Sequence, residues 1–116
     1  MRDPKERIRD ILECIDRIAR YSSRGRSAFE QDELIQNWFV RNLQILGEAA
    51  RSLPAEVRDR DRSIPWAEII GMRNILVHDY FGIDTEIVWQ VVDVQLPKLK
   101  SQVAELLASL ERESAE

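Results

Sequence analysis

Side chains that can do chemistry are concentrated in one short stretch, the twelve residues from Gly71 to Gly82. This stretch holds His78, the only histidine of the chain, together with Arg73 and Tyr80. An imidazole with an ordinary pKa of about 6.5 can move a proton at neutral pH. A guanidinium can hold a phosphate through two parallel hydrogen bonds and stabilise the charge that develops on it. These residue types therefore indicate proton transfer at a phosphate group.

Metal-free cleavage of RNA is one reaction that this set can perform, because the 2′-OH of RNA can attack the adjacent phosphate and DNA lacks that hydroxyl. Arg73 and His78 are five residues apart, which on an ideal helix separates them by about 140° and about 7.5 Å. They would flank one phosphate only at a distorted helix end or with the help of a second subunit. A two-fold dimer would also supply two histidines, so that one acts as the base and the other as the acid.

Three polar residues could support Arg73 and His78. Asn74 lies four residues before His78, on the same face of a predicted helix, and could orient the imidazole. Glu48 and Asp79 are candidate partners for the guanidinium. A structural alternative stays open, in which Arg73 forms an ordinary ion pair with one of these carboxylates and His78 only caps a helix C-terminus, where the helix dipole favours a cation.

Other catalytic templates are missing from the sequence. The four glycines are isolated, which excludes a glycine-rich phosphate loop. One histidine and the scattered carboxylates Glu48, Asp79 and Asp84 make a weak set of metal ligands, so we predict no metal and no cofactor. Cys14 is the only cysteine, which excludes an intramolecular disulfide. As a nucleophile it would need His78 nearby.

The elements that must position these groups are predicted to be helices. Apolar residues recur at helical spacing along the whole chain, and no strand alternation competes with that period. Cap and proline signals predict a first helix after Asp3, a second over 27–53 and a third from Pro65 toward His78. A fourth helix is predicted after Asp84 and a last one to 110. Pro54 predicts a short turn, and Pro97 a kink or break. This pattern is typical of an all-α, antiparallel up-and-down bundle of four or five helices. Five aromatic side chains are predicted to fill its core, namely Phe29, Phe39, Trp38, Trp66 and Trp89.

Length and composition fit one helical domain over residues 1–116. The chain of 116 residues is 44% hydrophobic and 33% charged, which argues against disorder. No stretch of about 18 apolar residues predicts a membrane span, and the charged N-terminus has no apolar signal segment. We therefore expect a cytoplasmic protein. Its net charge is −4, but residues 1–62 carry 13 basic and 12 acidic side chains, and 14 of the 17 basic residues are arginine. That distribution permits phosphate contacts without proving them.

The pattern Arg73-x-x-x-x-His78-x-Tyr80 resembles the R-x-x-x-x-H-x-Y motif of the HepT-like toxins, a branch of the HEPN superfamily. The flanking segments 43–49, 64–66, 69–74, 80–84, 87–89 and 96–97 resemble that family as well, so the similarity covers nearly the whole chain. The resemblance implies a dimeric HEPN bundle that acts as a ribonuclease toxin of a type VII toxin–antitoxin system. It further implies that Arg73 and His78 are catalytic. An MNT-type nucleotidyltransferase antitoxin would silence the toxin by transferring AMP to Tyr80.

Two other functions remain possible from the sequence. In the first, the bundle is a non-catalytic HEPN module that binds the nucleotidyltransferase or a nucleotide, with Arg73 and His78 as phosphate ligands. In the second, it is a helical dimer without a site. RNA cleavage that survives EDTA and disappears in a His78→Ala variant would distinguish the enzyme from both alternatives.

Overall fold

The computed structural model describes residues 3–72, 77–78 and 82–115, the pair 77–78 as backbone only. Within these ranges the chain forms helices, one π-helical turn and a very short β-ladder. In chain order they are α1 (Pro4–Ser22), α2 (Arg26–Gln31), α3 (Glu33–Arg51), α4 (Ala55–Arg58), α5 (Trp66–Gly71), β1 (Val77–His78), β2 (Gly82–Ile83), α6 (Thr85–Gln90), the π turn (Val91–Gln95) and α7 (Leu96–Ala115).

Helix α1 lies between α3 and α7 and packs against both. The Asp3 side chain accepts a hydrogen bond from the backbone N–H of Lys5 at 2.9 Å, and Pro4 occupies the first helical position, as the sequence predicts. The indole N–H of Trp38, early in α3, donates to the carbonyl of Arg17, late in α1, at 3.0 Å. On the other side Lys100 pairs with Asp16 at 3.0 Å. The predicted all-α antiparallel bundle is therefore confirmed.

The predicted second helix is divided at Asp32. This residue has extended backbone, with φ −125° and ψ 103°, so α2 ends before it and α3 begins after it. Its carboxylate accepts hydrogen bonds from the N–H groups of Leu34 at 2.9 Å and Ile35 at 3.4 Å. Asp32 is thus an N-cap, whereas the sequence places the cap at Ser27.

An aromatic cluster connects α2, α3 and α6. The Phe29 and Phe39 rings are stacked with centroids 5.2 Å apart, and Trp89 lies 5.5 Å from Phe29. Phe29, Phe39 and Trp66 are buried as predicted, while Trp38 and Trp89 are partly buried and pack against the core. These contacts account for all five aromatic residues as packing groups.

Pro97 disturbs its helix by widening one turn. The N–H of Leu96 donates to the carbonyl of Val91, five residues earlier, and α6 and α7 continue into each other through the π turn. A proline ring clashes with the carbonyl four residues before it, and a π turn relieves that crowding. Among the described residues, no helix is long and apolar enough to cross a membrane.

The predicted third helix does not reach His78 as a helix. Helix α5 ends at Gly71, and His78 lies in β1, where it pairs antiparallel with Gly82 in β2. The prediction that Asn74 and His78 share one helical face was therefore wrong at His78, whose backbone is extended.

Candidate functional site

A surface groove of about 760 Å³ runs between the outer face of α3 and the end of α5. Polar side chains dominate its α3 wall, and the wall on the other side is formed by α5. The lining residues are Arg41, Leu43, Gln44, Ile45, Gly47, Glu48, Arg51, Ile70 and Gly71.

Gly47 determines how closely α5 approaches α3. A Cβ atom placed on Gly47 would lie 3.1 Å from the backbone oxygen of Ile69, which is tighter than an ordinary contact. The missing side chain therefore lets the α5 backbone rest on α3. As a consequence Ile70 and Gly71 line the groove, and Arg73 follows them in the sequence after the buried Met72. In the chain, the predicted motif thus follows the end of α5 that borders the groove.

A two-residue antiparallel ladder holds the backbone of His78. Val77 pairs with Ile83, and His78 pairs with Gly82. Gly82 has a φ of 102°, a conformation that residues with a Cβ rarely adopt. The carboxylate of Asp84 then accepts a hydrogen bond from the N–H of Ile87 at 3.2 Å and caps α6, as predicted. The position of His78 in the fold therefore depends on Gly82 and on the start of α6.

Of the predicted site residues, Glu48 is described in full. It is exposed on α3 and lines the groove. Its backbone oxygen accepts hydrogen bonds from Ser52, and its carboxylate makes no ion pair within 3–72, 77–78 and 82–115. Arg73, Asn74, Asp79 and Tyr80 lie outside the described residues, as does the side chain of His78. No group of three or more His, Cys, Asp or Glu residues that could hold a metal ion occurs in the described part of the chain.

Cys14 has the properties of a packing residue. It faces the core from α1 with 4% of its surface exposed. Burial raises the pKa of its thiol to about 11, so the thiol is protonated and unreactive at neutral pH. A thiolate nucleophile at this position is therefore excluded.

Sequence reasoning did not select the groove residues Arg41, Gln44 and Arg51. Together with Glu48 they are spaced by three, four and three residues. This spacing places all four within an arc of about 80° on one helix. This spacing is the sequence signal that could have identified the groove residues, but it is also the ordinary pattern of a solvated helix face. The packing of α5 beside them is what turns this face into one wall of a groove.

Replacing Gly82 with alanine should impair the site through its backbone. No atom lies within 4 Å of the added Cβ, so the cost comes from the positive φ alone, about 1–2 kcal/mol. We expect a lower melting temperature and the loss of any activity that depends on His78, because the residue paired with His78 must shift.

Gly25→Ala is a matched control. Gly25 has a φ of 92°, also has no atom near its added Cβ, and lies between α1 and α2. The Gly25→Ala variant should lose as much stability as Gly82→Ala and keep its activity. Equal activity losses in the two variants would contradict a specific role for the His78 ladder.

Comparisons with known proteins match the chain over nearly its whole length. Residues 11–106 match the family model described as ribonuclease HepT-like. A relative from Caldanaerobacter subterraneus, whose name suggests an RNase, is 39% identical over 108 residues, which are 92% of this chain and 96% of the relative. A similar protein of Methanocaldococcus jannaschii, also named for an RNase, is 36% identical over 88% of this chain and 94% of its own.

A third relative, the "Probable ribonuclease HepT" of Thermococcus cleftensis, is 33% identical over 108 residues, covering 90% of this chain and 96% of the relative. No solved structure matches the chain. The fold is an all-α bundle of the HEPN type. The chain belongs to the HepT-like ribonuclease family of the HEPN superfamily.

Proposed function

We propose that this protein is a metal-independent endoribonuclease that acts as the toxin of a type VII toxin–antitoxin system. One observation carries the proposal: the complete R-x-x-x-x-H-x-Y pattern, from Arg73 to Tyr80, lies inside the region that matches the HepT-like ribonuclease family. The groove beside the end of α5 supports it, because the motif follows α5 in the chain and RNA needs a surface on which to lie. We further propose that the protein is cytoplasmic and that residues 1–116 form one HEPN domain.

In the proposed reaction the ribose of the substrate supplies the nucleophile. The imidazole of His78 takes the proton from the 2′-OH, which attacks the adjacent phosphorus and displaces the 5′-oxygen of the next nucleotide. The guanidinium of Arg73 stabilises the charge that builds on the phosphate. In a homodimer the second His78 protonates the leaving oxygen. Asn74, Asp79 and Glu48 would support these groups by hydrogen bonding.

The proposed regulation acts on Tyr80, which follows His78 by two residues. The nucleotidyltransferase antitoxin would transfer AMP from ATP to the Tyr80 hydroxyl, with release of pyrophosphate. The product would carry a bulky, negatively charged phosphodiester two residues from the catalytic histidine in the chain. Both effects oppose the entry of RNA, one through steric exclusion and the other through charge repulsion.

The first experiment is an RNA cleavage assay in EDTA with purified protein whose intact mass shows that Tyr80 is unmodified. We expect cleavage at a rate unchanged by EDTA. Cleavage that requires added metal would contradict the mechanism. Intact RNA with a folded, unmodified dimer would instead favour the non-catalytic module that binds the nucleotidyltransferase or a nucleotide.

Tyr80→Phe tests the regulation separately. This variant keeps the ring and loses the hydroxyl that would accept AMP, so it should cleave RNA after incubation with the nucleotidyltransferase and ATP. Under the same conditions the unaltered chain should gain the mass of AMP and lose its activity. Equal silencing of both proteins would show that Tyr80 is not the regulated position.

A further inference from the structure

The groove wall on α3 carries two arginines that are free to bind a ligand. Arg41 and Arg51 are exposed, and neither forms an ion pair or a side-chain hydrogen bond among the residues that the structure describes. Seven of the thirteen other basic side chains in the described part of the chain are held in ion pairs. Ion pairs occupy Lys5, Arg9, Arg17, Arg26, Arg60, Lys100 and Arg112. The groove therefore has unpaired positive charge in an acidic chain.

The two guanidinium groups share one stripe of α3. They are ten residues apart, which corresponds to about 15 Å along the axis and an angular difference of about 80°. Two cations at that separation on one wall suit a ligand with repeated negative charges better than a single small anion. A nucleic-acid strand has such repeated charges, and a groove of about 760 Å³ can hold a short piece of it.

The residues between the arginines favour RNA in particular. Gln44 and Glu48 line the middle of the same wall. A carboxylate repels phosphate but accepts a hydrogen bond from a ribose 2′-OH, and an amide can bind a base edge. The wall thus has groups that can bind phosphates at its two ends and groups that can bind sugar and base at its centre.

We infer that Arg41 and Arg51 bind two phosphates of the RNA strand that flank the cleaved linkage, and so position that strand along α3. This inference rests on the proposed ribonuclease function and names the surface that holds its substrate. Both arginines are positioning residues, because the bond-breaking groups belong to the motif from Arg73 to Tyr80. Each should contribute to affinity through release of counterions from the RNA.

The test measures RNA binding in a His78→Ala background, which prevents turnover. Binding of a labelled single-stranded RNA is followed by fluorescence anisotropy over a series of salt concentrations. Arg41→Gln and Arg51→Gln should each raise Kd about three- to fivefold at low salt. Each should also reduce the slope of log Kd against log salt by about 0.7, and the double variant by about 1.4.

Arg112→Gln is the matched control, since it removes one positive charge from α7, which does not line the groove. Its side chain is exposed and, within the described ranges, its one ion pair is with Glu105 at 3.6 Å, so little stability is lost. It should leave both Kd and the salt slope unchanged. Melting temperatures show whether all variants are folded.

The inference falls if the double variant keeps the affinity and slope of its parent, if the parent does not bind RNA, or if only binding to the nucleotidyltransferase is weakened. Its failure is distinguishable from failure of the proposed function. Cleavage by the unaltered chain, together with unchanged binding in the double variant, would retain the ribonuclease and remove the phosphate contacts. Salt-dependent binding through both arginines without any cleavage would retain the phosphate contacts and remove the ribonuclease function.

Discussion

His78→Ala should lower kcat/KM for RNA cleavage by at least about 100-fold, the range typical of a lost general acid or base. The bundle should stay intact, because alanine can also make the backbone pairing of residue 78 with Gly82. A melting temperature close to that of the unaltered protein would separate lost chemistry from lost structure. The measurement is the cleavage rate in EDTA with a defined single-stranded RNA.

Mixing two inactive variants provides the internal control for a site shared between subunits. His78→Ala and Arg73→Ala proteins are unfolded, mixed and refolded together, so that mixed dimers form. Because the proposed mechanism uses the His78 of both subunits, every mixed dimer lacks one of the two histidines and should stay inactive. Recovered activity would instead show that one histidine and one arginine from different subunits are sufficient. Cleavage by His78→Ala alone at the full rate would remove the histidine from the mechanism.

Phe39→Ala should remove about 3–5 kcal/mol from the free energy of unfolding. The ring is fully buried and stacks on Phe29 at 5.2 Å, and Phe29 in turn contacts Trp89. Truncation leaves a cavity at the point where α2, α3 and α6 meet. Because domains of this size have a total stability of only about 5–15 kcal/mol, this loss should be a large share of the free energy of unfolding.

Urea denaturation measures this loss, with Phe39→Leu as the control of similar shape and smaller volume change. The leucine variant should lose clearly less, about 1–2 kcal/mol, since it fills most of the cavity. Equal losses in the two variants would indicate that ring stacking, rather than buried volume, is what stabilises the cluster.

Local signals explain why most of the fold could be predicted from the sequence. Asp3 and Asp84 act as the helix caps that their positions suggest, and the apolar stripe of α1 is buried as its spacing predicts. The break at Asp32 was missed because an N-cap and an exposed polar residue in mid-helix have the same sequence appearance. Only the backbone, which is extended at Asp32, distinguishes them.

The candidate site was less accessible to sequence reasoning, for a physical reason. The motif from Arg73 to Tyr80 is continuous in the chain and could be read directly. The groove depends on contacts between distant segments, above all the close approach of Ile69 to Gly47. Likewise, the extended backbone of His78 comes from pairing with Gly82, and helical periodicity contains no information about that pairing.

The π turn at Val91–Gln95 fixes the number of residues between α6 and α7 more strictly than it fixes their identities. A π turn contains one residue more than the α-helical turn that it replaces, and one residue corresponds to a rotation of about 100°. A one-residue deletion here would turn Trp89 away from Phe29 while α7 stayed on α1. The length of this segment therefore sets the rotation of α6 relative to α7, and we expect it to tolerate no insertion or deletion. Its side chains from Asp93 to Gln95 are exposed and free to vary.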